Sequence, residues 1–158
     1  MPFHTNTAAG TVVYTPGFLN SGLILPNDQV NTTETLASIT ELKLAVGKYE
    51  RLVFRYNLFC LWDATADIEY IVDIPASPTK FLTVTSGSDG STTAVGQAPI
   101  VAEAAQSITT AAANGLLVVQ GVLDNGANAG DLDFQFCMRA GGTSTTVLRG
   151  SYLEYQRF

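Results

Sequence analysis

The chain has 158 residues, enough for one domain or one domain with an arm, and long enough to bury a core without covalent staples. Charged residues make up only 14% of it and the net charge is −6, with Lys and Arg scattered rather than clustered. That balance argues against nucleic-acid binding, which wants a basic stripe, and a surface so poor in charge points to partial cover by something else.

Residues Met1 to Thr33 read as an extended N-terminal arm. Pro2, Gly10, Pro16, Gly17, Gly22 and Pro26 interrupt it every few residues, which denies both a helix and a long strand. Its apolar anchors are Phe3, Val12, Val13, Tyr14, Phe18, Leu23 and Ile24. Two readings stay open: the arm docks on another surface, or TVVY (Thr11 to Tyr14) is the first strand of the domain itself. MPFHTNTAAG has neither the basic start nor the apolar stretch of a secretory signal, so the expectation is a chain made in the cytosol. No apolar run approaches the ~18 residues of a membrane span.

From residue 34 to 158 the pattern is that of strands. Thr40, Leu42, Leu44 and Val46 alternate with Ile39, Glu41, Lys43 and Ala45, and Gly47-Lys48 turns the chain. Tyr49 to Trp62 is a long strand with Leu52, Phe54, Tyr56, Leu58, Cys60 and Trp62 on one face. The opposite face holds Arg51, Val53, Arg55, Asn57, Phe59 and Leu61. Its second half is apolar on both faces, which requires a cover from another element or another subunit. Asp67 to Pro75 alternates Ile68, Tyr70, Val72 and Ile74 with Asp67, Glu69 and Asp73. Lys80 to Thr85 is a further strand, and Ser86 to Thr92 a surface loop. The Ala-rich stretch from Val95 to Ala113 is helical by propensity, but Ile108 and Asn114-Gly115 fit strand plus turn better. Asn114-Gly115 then breaks the chain before Leu116 to Leu123. In Asp131 to Arg139, Leu132, Phe134, Phe136 and Met138 alternate with polar residues, and Thr146 to Phe158 closes the chain. Roughly eight strands with turns every ~8–12 residues predict an all-β antiparallel sandwich or barrel of the jelly-roll kind.

The chemistry-bearing residues are few. The only histidine, His4, sits in the arm, a poor place for a general base. Cys60 and Cys137 read as free buried thiols, and a disulfide between them depends on how close their strands come. No CxxC, Walker or Rossmann pattern is present. Asp67, Glu69 and Asp73 on one strand, and Asp131 and Asp133 on another, would suit glycoside cleavage only if they faced each other; the simpler reading is that they mark solvent faces. Asp124, Asn125, Asn128 and Asp131 offer oxygen ligands for calcium without the EF-hand spacing, and a Gly/Asn turn explains the same residues. The expectation is a non-enzymatic protein with no cofactor and no metal.

The aromatic residues carry more. Phe54, Tyr56, Phe59, Tyr152, Tyr155 and Phe158 fall on two segments where one face is expected to be core and the other a subunit interface, where Tyr is enriched. YERLVFRYNLFCLW with DIEYIVDIPASP, then GLLVVQGVL and the closing LRGSYLEYQRF, resemble trimeric jelly-roll virion proteins of tailed bacteriophages, related in fold to C1q and tumour-necrosis-factor domains. The resemblance implies a homotrimer of jelly-roll domains over residues 34–158. It also implies a place on the capsid surface as a head decoration (cement) protein bound to the major capsid protein, with the arm's anchors as capsid contacts. The same family holds receptor- or carbohydrate-binding tips of tail fibres, the alternative reading. Neither implies a nucleic-acid or membrane partner.

Overall fold

The longest strand sets the frame. In the computed structural model, which describes residues 21–62, 68–88, 94–96, 105–108, 114–139 and 141–158, Arg51–Trp62 runs unbroken through the middle of the larger of two antiparallel sheets. In chain order the strands among the described residues are β1 (Ser21–Ile24), β2 (Gln29–Asn31), β3 (Ala37–Ser38), β4 (Leu44–Val46) and β5 (Arg51–Trp62). They continue with β6 (Ile68–Asp73), β7 (Lys80–Ser88), β8 (Ala94–Gly96), β9 (Gln106–Ile108) and β10 (Asn114–Asp124). The last three are β11 (Gly130–Met138), β12 (Thr145–Val147) and β13 (Tyr152–Arg157). The larger sheet has the order β1-β13-β5-β10-β7-β8, with β12 pairing both β2 and β5. The smaller has the order β3-β11-β6-β9, with β4 also on β11. The two form an all-β sandwich around one core.

The core follows from period two. Leu52, Phe54, Tyr56, Leu58, Cys60 and Trp62 of β5 are all buried, as are Ile68, Tyr70, Val72 and Ile74 along and just after β6, and Leu132, Phe134 and Phe136 of β11. Aromatic rings bridge the layers. Phe54 stacks on Phe81 with centroids 6.4 Å apart and meets Tyr56 edge-on at 5.9 Å. Tyr56 touches Phe134 at 5.4 Å, and Phe134 stacks on Tyr70 at 5.4 Å. Edge-on and offset-stacked pairs of this kind add to simple area burial. The Tyr70 hydroxyl is bonded to that of Thr85, so the ring's polar end is satisfied inside.

Several expectations change. The arm's boundary at Thr33 does not hold for the described part: β1 pairs β13 and β2 pairs β12, Leu25 is fully buried, and the Met138 amide donates to Thr33 O. Leu23 packs against the core, so it is not a free capsid anchor. It sits opposite Leu153, an inward position, in a short strand at the sheet edge. Phe3, Val12, Val13, Tyr14 and Phe18 lie outside the described residues, as do Asp67 and most of Val95–Ala113. Within that last stretch β8 and β9 are strands, as expected. Thr40–Leu42 is a 3-10 turn rather than strand, so Ile39 and Leu42, three apart, both point into the core. Asn114 and Gly115 do not break the chain. They pair with Leu61 and Cys60, because β5 is long enough to continue the ladder. Strand β7 likewise runs on to Ser88 against β10, where a loop was expected. The closing segment is two strands, β12 and β13, parted by a turn at Gly150 with φ +84.

One end of the sandwich is stitched by side chains. Asn125, fully buried, donates its amide to Gly47 O and Asn128 O, both at 2.7 Å, and Asn128 donates to Ala76 O at 3.0 Å. These bonds tie together the β4–β5, β6–β7 and β10–β11 loops. In the same loops the Tyr49 amide donates to Gly126 O at 2.8 Å, and Tyr49 sits at φ +58, a left-handed conformation in a side chain that is 71% exposed. Left-handed backbone costs a non-glycine residue ~1–2 kcal/mol. Tyr49→Gly is therefore expected to raise unfolding free energy by ~1 kcal/mol in a urea titration, since little packing is lost.

Candidate functional site

Since the inward residues of the larger sheet form the core, their alternates make its outer face, and the register places them in rows. The first row is Gln156, Val53, Val122 and Leu82 across β13, β5, β10 and β7. The second is Glu154, Arg55, Gln120 and Val84, and the third Tyr152, Asn57, Val118 and Ser86. Phe59 then lies beside Leu116, and Leu61 between Thr146 and Asn114. No strand or loop of the described residues covers this face at its apolar end: Phe59 is 41% exposed, Leu61 42%, Leu116 37% and Val122 38%. Val53, Leu82, Val84 and Val118 are half-buried between them. An ion pair, Arg55 to Glu154 at 3.8 Å, crosses the second row. Between the first two rows lies an open depression of about 240 Å³, walled by Val53, Arg55, Leu82, Val84, Gln120 and Val122 and floored by Gly121 over the Phe54 ring.

Asn57 is the exception in this face. It is only 8% exposed, and its Nδ2 is buried with no hydrogen-bond partner among the described residues. The amide of Asn31, by contrast, donates to Thr35 O and Phe136 O. An unmade hydrogen bond on a buried amide costs ~1–3 kcal/mol.

The outer face of the smaller sheet is built differently. Asp133 is nearly fully buried: one oxygen accepts the Ser38 hydroxyl at 2.7 Å, the other lies 3.2 Å from Lys43 Nζ and accepts Gln135 Nε2 at 3.2 Å. Gln135 also donates to Asp73, the cross-strand partner of Asp133, at 3.1 Å. The two acidic strands are thus brought side by side, but Asp73 and Asp133 are tied together through Gln135, with Ser38 and Lys43 also on Asp133. Sequence periodicity placed Asp133 on the solvent side, yet it is buried, because the side chains of Ser38, Lys43 and Gln135 close over its carboxylate.

The aromatic residues predicted as subunit contacts separate. Phe54 and Tyr56 are fully buried in their own chain's core and form no subunit face, because a β5 partnered on both edges turns them between the sheets. Phe59 and Tyr152 stand on the outer face. Tyr155 packs against the core, opposite Phe54. Phe158 is 73% exposed past the end of β13, its amide bonded to Arg51 O at 3.0 Å. Ile24, half-buried, lies opposite Tyr152 at the edge of the same face. Leu116, Val118, Val122, Leu82 and Val84 were not singled out from sequence. The signal was there in GLLVVQGVL, apolar on both alternating sets.

Asp124 pairs with Arg51 at 3.0 Å, and Asn125 and Asn128 use their amides on loop carbonyls, so three of the four residues weighed for calcium serve as strand-end stitching; Asp131 lies 3.9 Å from Lys43 Nζ. Cys60 and Cys137 are both free and buried. A scan of protein-family models and a search of curated proteins return no match to this chain.

Proposed function

We propose that this chain is a structural virion protein, a decoration protein of a tailed-phage head, that works as a homotrimer built on the outer face of its larger sheet. The observation that carries the reading is that face. Its β13, β5, β10 and β7 strands lie ~4.8 Å apart and rise ~3.3 Å per residue, giving a footprint of roughly 500–600 Å² per copy before side-chain relief. Three such faces around one axis gather roughly 1,500–1,800 Å² in all, above the ~1,000 Å² expected of a stable assembly contact. The strand path supports a jelly roll: β4, β5, β6 and β7 alternate between the sheets, as do β9, β10, β11 and β12. Stabilisation of a capsid follows if the trimer binds only the assembled lattice of the major capsid protein, which shifts the assembly equilibrium toward it. The rival reading is a sugar-binding fibre tip with the same fold. Trp62 bears on the choice, because it is 5% exposed and so offers no stacking platform, which supports decoration.

Sedimentation equilibrium of the purified chain at micromolar concentration tests the first half. A single trimeric species is expected, and a clean monomer overturns it. Phe59→Glu, which puts a charge at the apolar end of the face, is expected to weaken association at least ~30-fold, the size of a hot-spot loss. Binding of the trimer to emptied heads stripped of decoration tests the second half; a trimer that ignores the heads leaves the fold reading intact and removes the capsid partner.

A further inference from the structure

Asn57 occupies the middle of the face, and among the described residues nothing accepts from its Nδ2. It sits at the centre of β5, flanked in register by Tyr152 on β13 and Val118 on β10. The carbonyls of the flanking strands serve the backbone ladder, and the polar side chains of the next row, Arg55 and Glu154, pair with each other. Among the described residues the Nδ2 donor is left without a partner, in a residue 8% exposed. A valine or leucine would fill the same place on an apolar face without that penalty. The occupant that removes the penalty must bring an acceptor to an apolar surface whose footprint suits a second copy.

We propose that Asn57 is the polar key of self-association: its Nδ2 donates to a side-chain oxygen of the neighbouring copy, which for a residue on the symmetry axis is Oδ1 of the neighbour's Asn57. This rests on the reading of the outer sheet face as the self-association surface. In a closed cyclic assembly each amide donates to the next and the ring of bonds closes, so every orphan donor finds its acceptor at once. For the neighbour to reach the buried amide, the side chain of Tyr152, the register partner of Asn57, must move aside. A single buried polar residue of this kind fixes register and copy number in an otherwise greasy contact, where apolar faces alone slide and pair in several ways.

The test compares the full chain with Asn57→Leu and Asn57→Asp by sedimentation equilibrium and mass photometry, with circular dichroism as the check on folding. Asn57→Leu is expected to associate at least as tightly as the parent but to spread over several stoichiometries. Asn57→Asp, which gathers like charges on the axis, is expected to associate at least ~30-fold more weakly. The same single stoichiometry and the same association constant in all three proteins overturn the proposal while leaving the interface reading standing. A parent that stays monomeric overturns both. Should a variant fail to fold, the parent decides alone: nuclear magnetic resonance of the Asn57 side-chain amide is expected to show slowed hydrogen exchange on assembly, and an amide that exchanges freely in the assembled protein overturns the proposal.

Discussion

Gly121→Ala is expected to abolish the folded protein or to lower its unfolding free energy by at least ~3 kcal/mol, a large share of the ~5–15 kcal/mol that holds a domain together. Gly121 lies in the middle of β10, between Val119 and Leu123, which both point into the core. A Cβ there would stand 2.4 Å from Leu82 O, 2.7 Å from Phe54 Cζ and 2.8 Å from Thr83 Cγ2. Two of those neighbours are side-chain atoms, but the first is backbone of β7, fixed in the ladder with β10. Relief therefore means parting two central strands or driving Phe54 off its ring neighbours Phe81 and Tyr56. Overpacking a close-packed interior forces off-rotamer side chains and backbone shifts, and here both directions are blocked. Equilibrium denaturation of parent and variant measures the loss. The double variant Gly121→Ala with Phe54→Leu separates the two clashes: partial recovery assigns the remainder to the β7 carbonyl. A Gly121→Ala protein with unchanged denaturation midpoint would show that the strands are spaced more widely than the structure places them.

What the sequence made legible was the half-buried strand. In β5, β6 and β11 period two named the inward set almost without error, since one face had to be apolar and nothing local competed. It was weaker wherever tertiary cover, not local pattern, set the environment. Asp133 read as solvent-facing because alternation says only which side a residue takes, not whether side chains of the neighbouring strand close over it. The turn at Thr40–Leu42 and the break at Gly150 were lost because a 3-10 turn and a left-handed glycine can each sit inside an alternating pattern. Residues Ser21 to Asn31 looked like arm because Pro26 and Gly22 deny a long strand, whereas a sheet edge accepts strands as short as β1 and β2. The candidate face was half visible. Phe59 and Leu61 called for a cover from the sequence alone, but Val122, Leu82 and Val84 join them only through the register of three strands far apart in the chain.

The sandwich is expected to lose stability steeply above pH 9, and Cys60 is expected to be responsible for the first part of the fall. Burial pushes its thiol from an ordinary 9.0 up to about 12, because the core offers a thiolate no solvation. Cys137 moves the same way, by burial first and then by the charges of Glu69 and Glu34. Burial also raises Tyr56, well above its ordinary 10.0 with help from the Asp133 charge, and raises Tyr70, whose bond to Thr85 works against the rise. Each group is neutral in the fold and ionises at lower pH once unfolded. Its contribution is therefore complete below the unfolded value and is lost as pH climbs from that value toward the folded one. For Cys60 the window is 9.0 to about 12, and the full loss is on the order of 4 kcal/mol. Between pH 9 and 10 the thiols act before the tyrosines, so the slope there reports on them. Urea titrations at half-unit steps from pH 7 to 11, under reductant so that unfolded thiols do not pair, are expected to show a plateau and then a decline. Cys60→Ala is expected to start lower at pH 7, because it leaves a small cavity, and then to decline less steeply between pH 9 and 10. Equal slopes in the two proteins would mean that the Cys60 thiol reaches solvent, and the burial assigned to the centre of β5 would have to be abandoned.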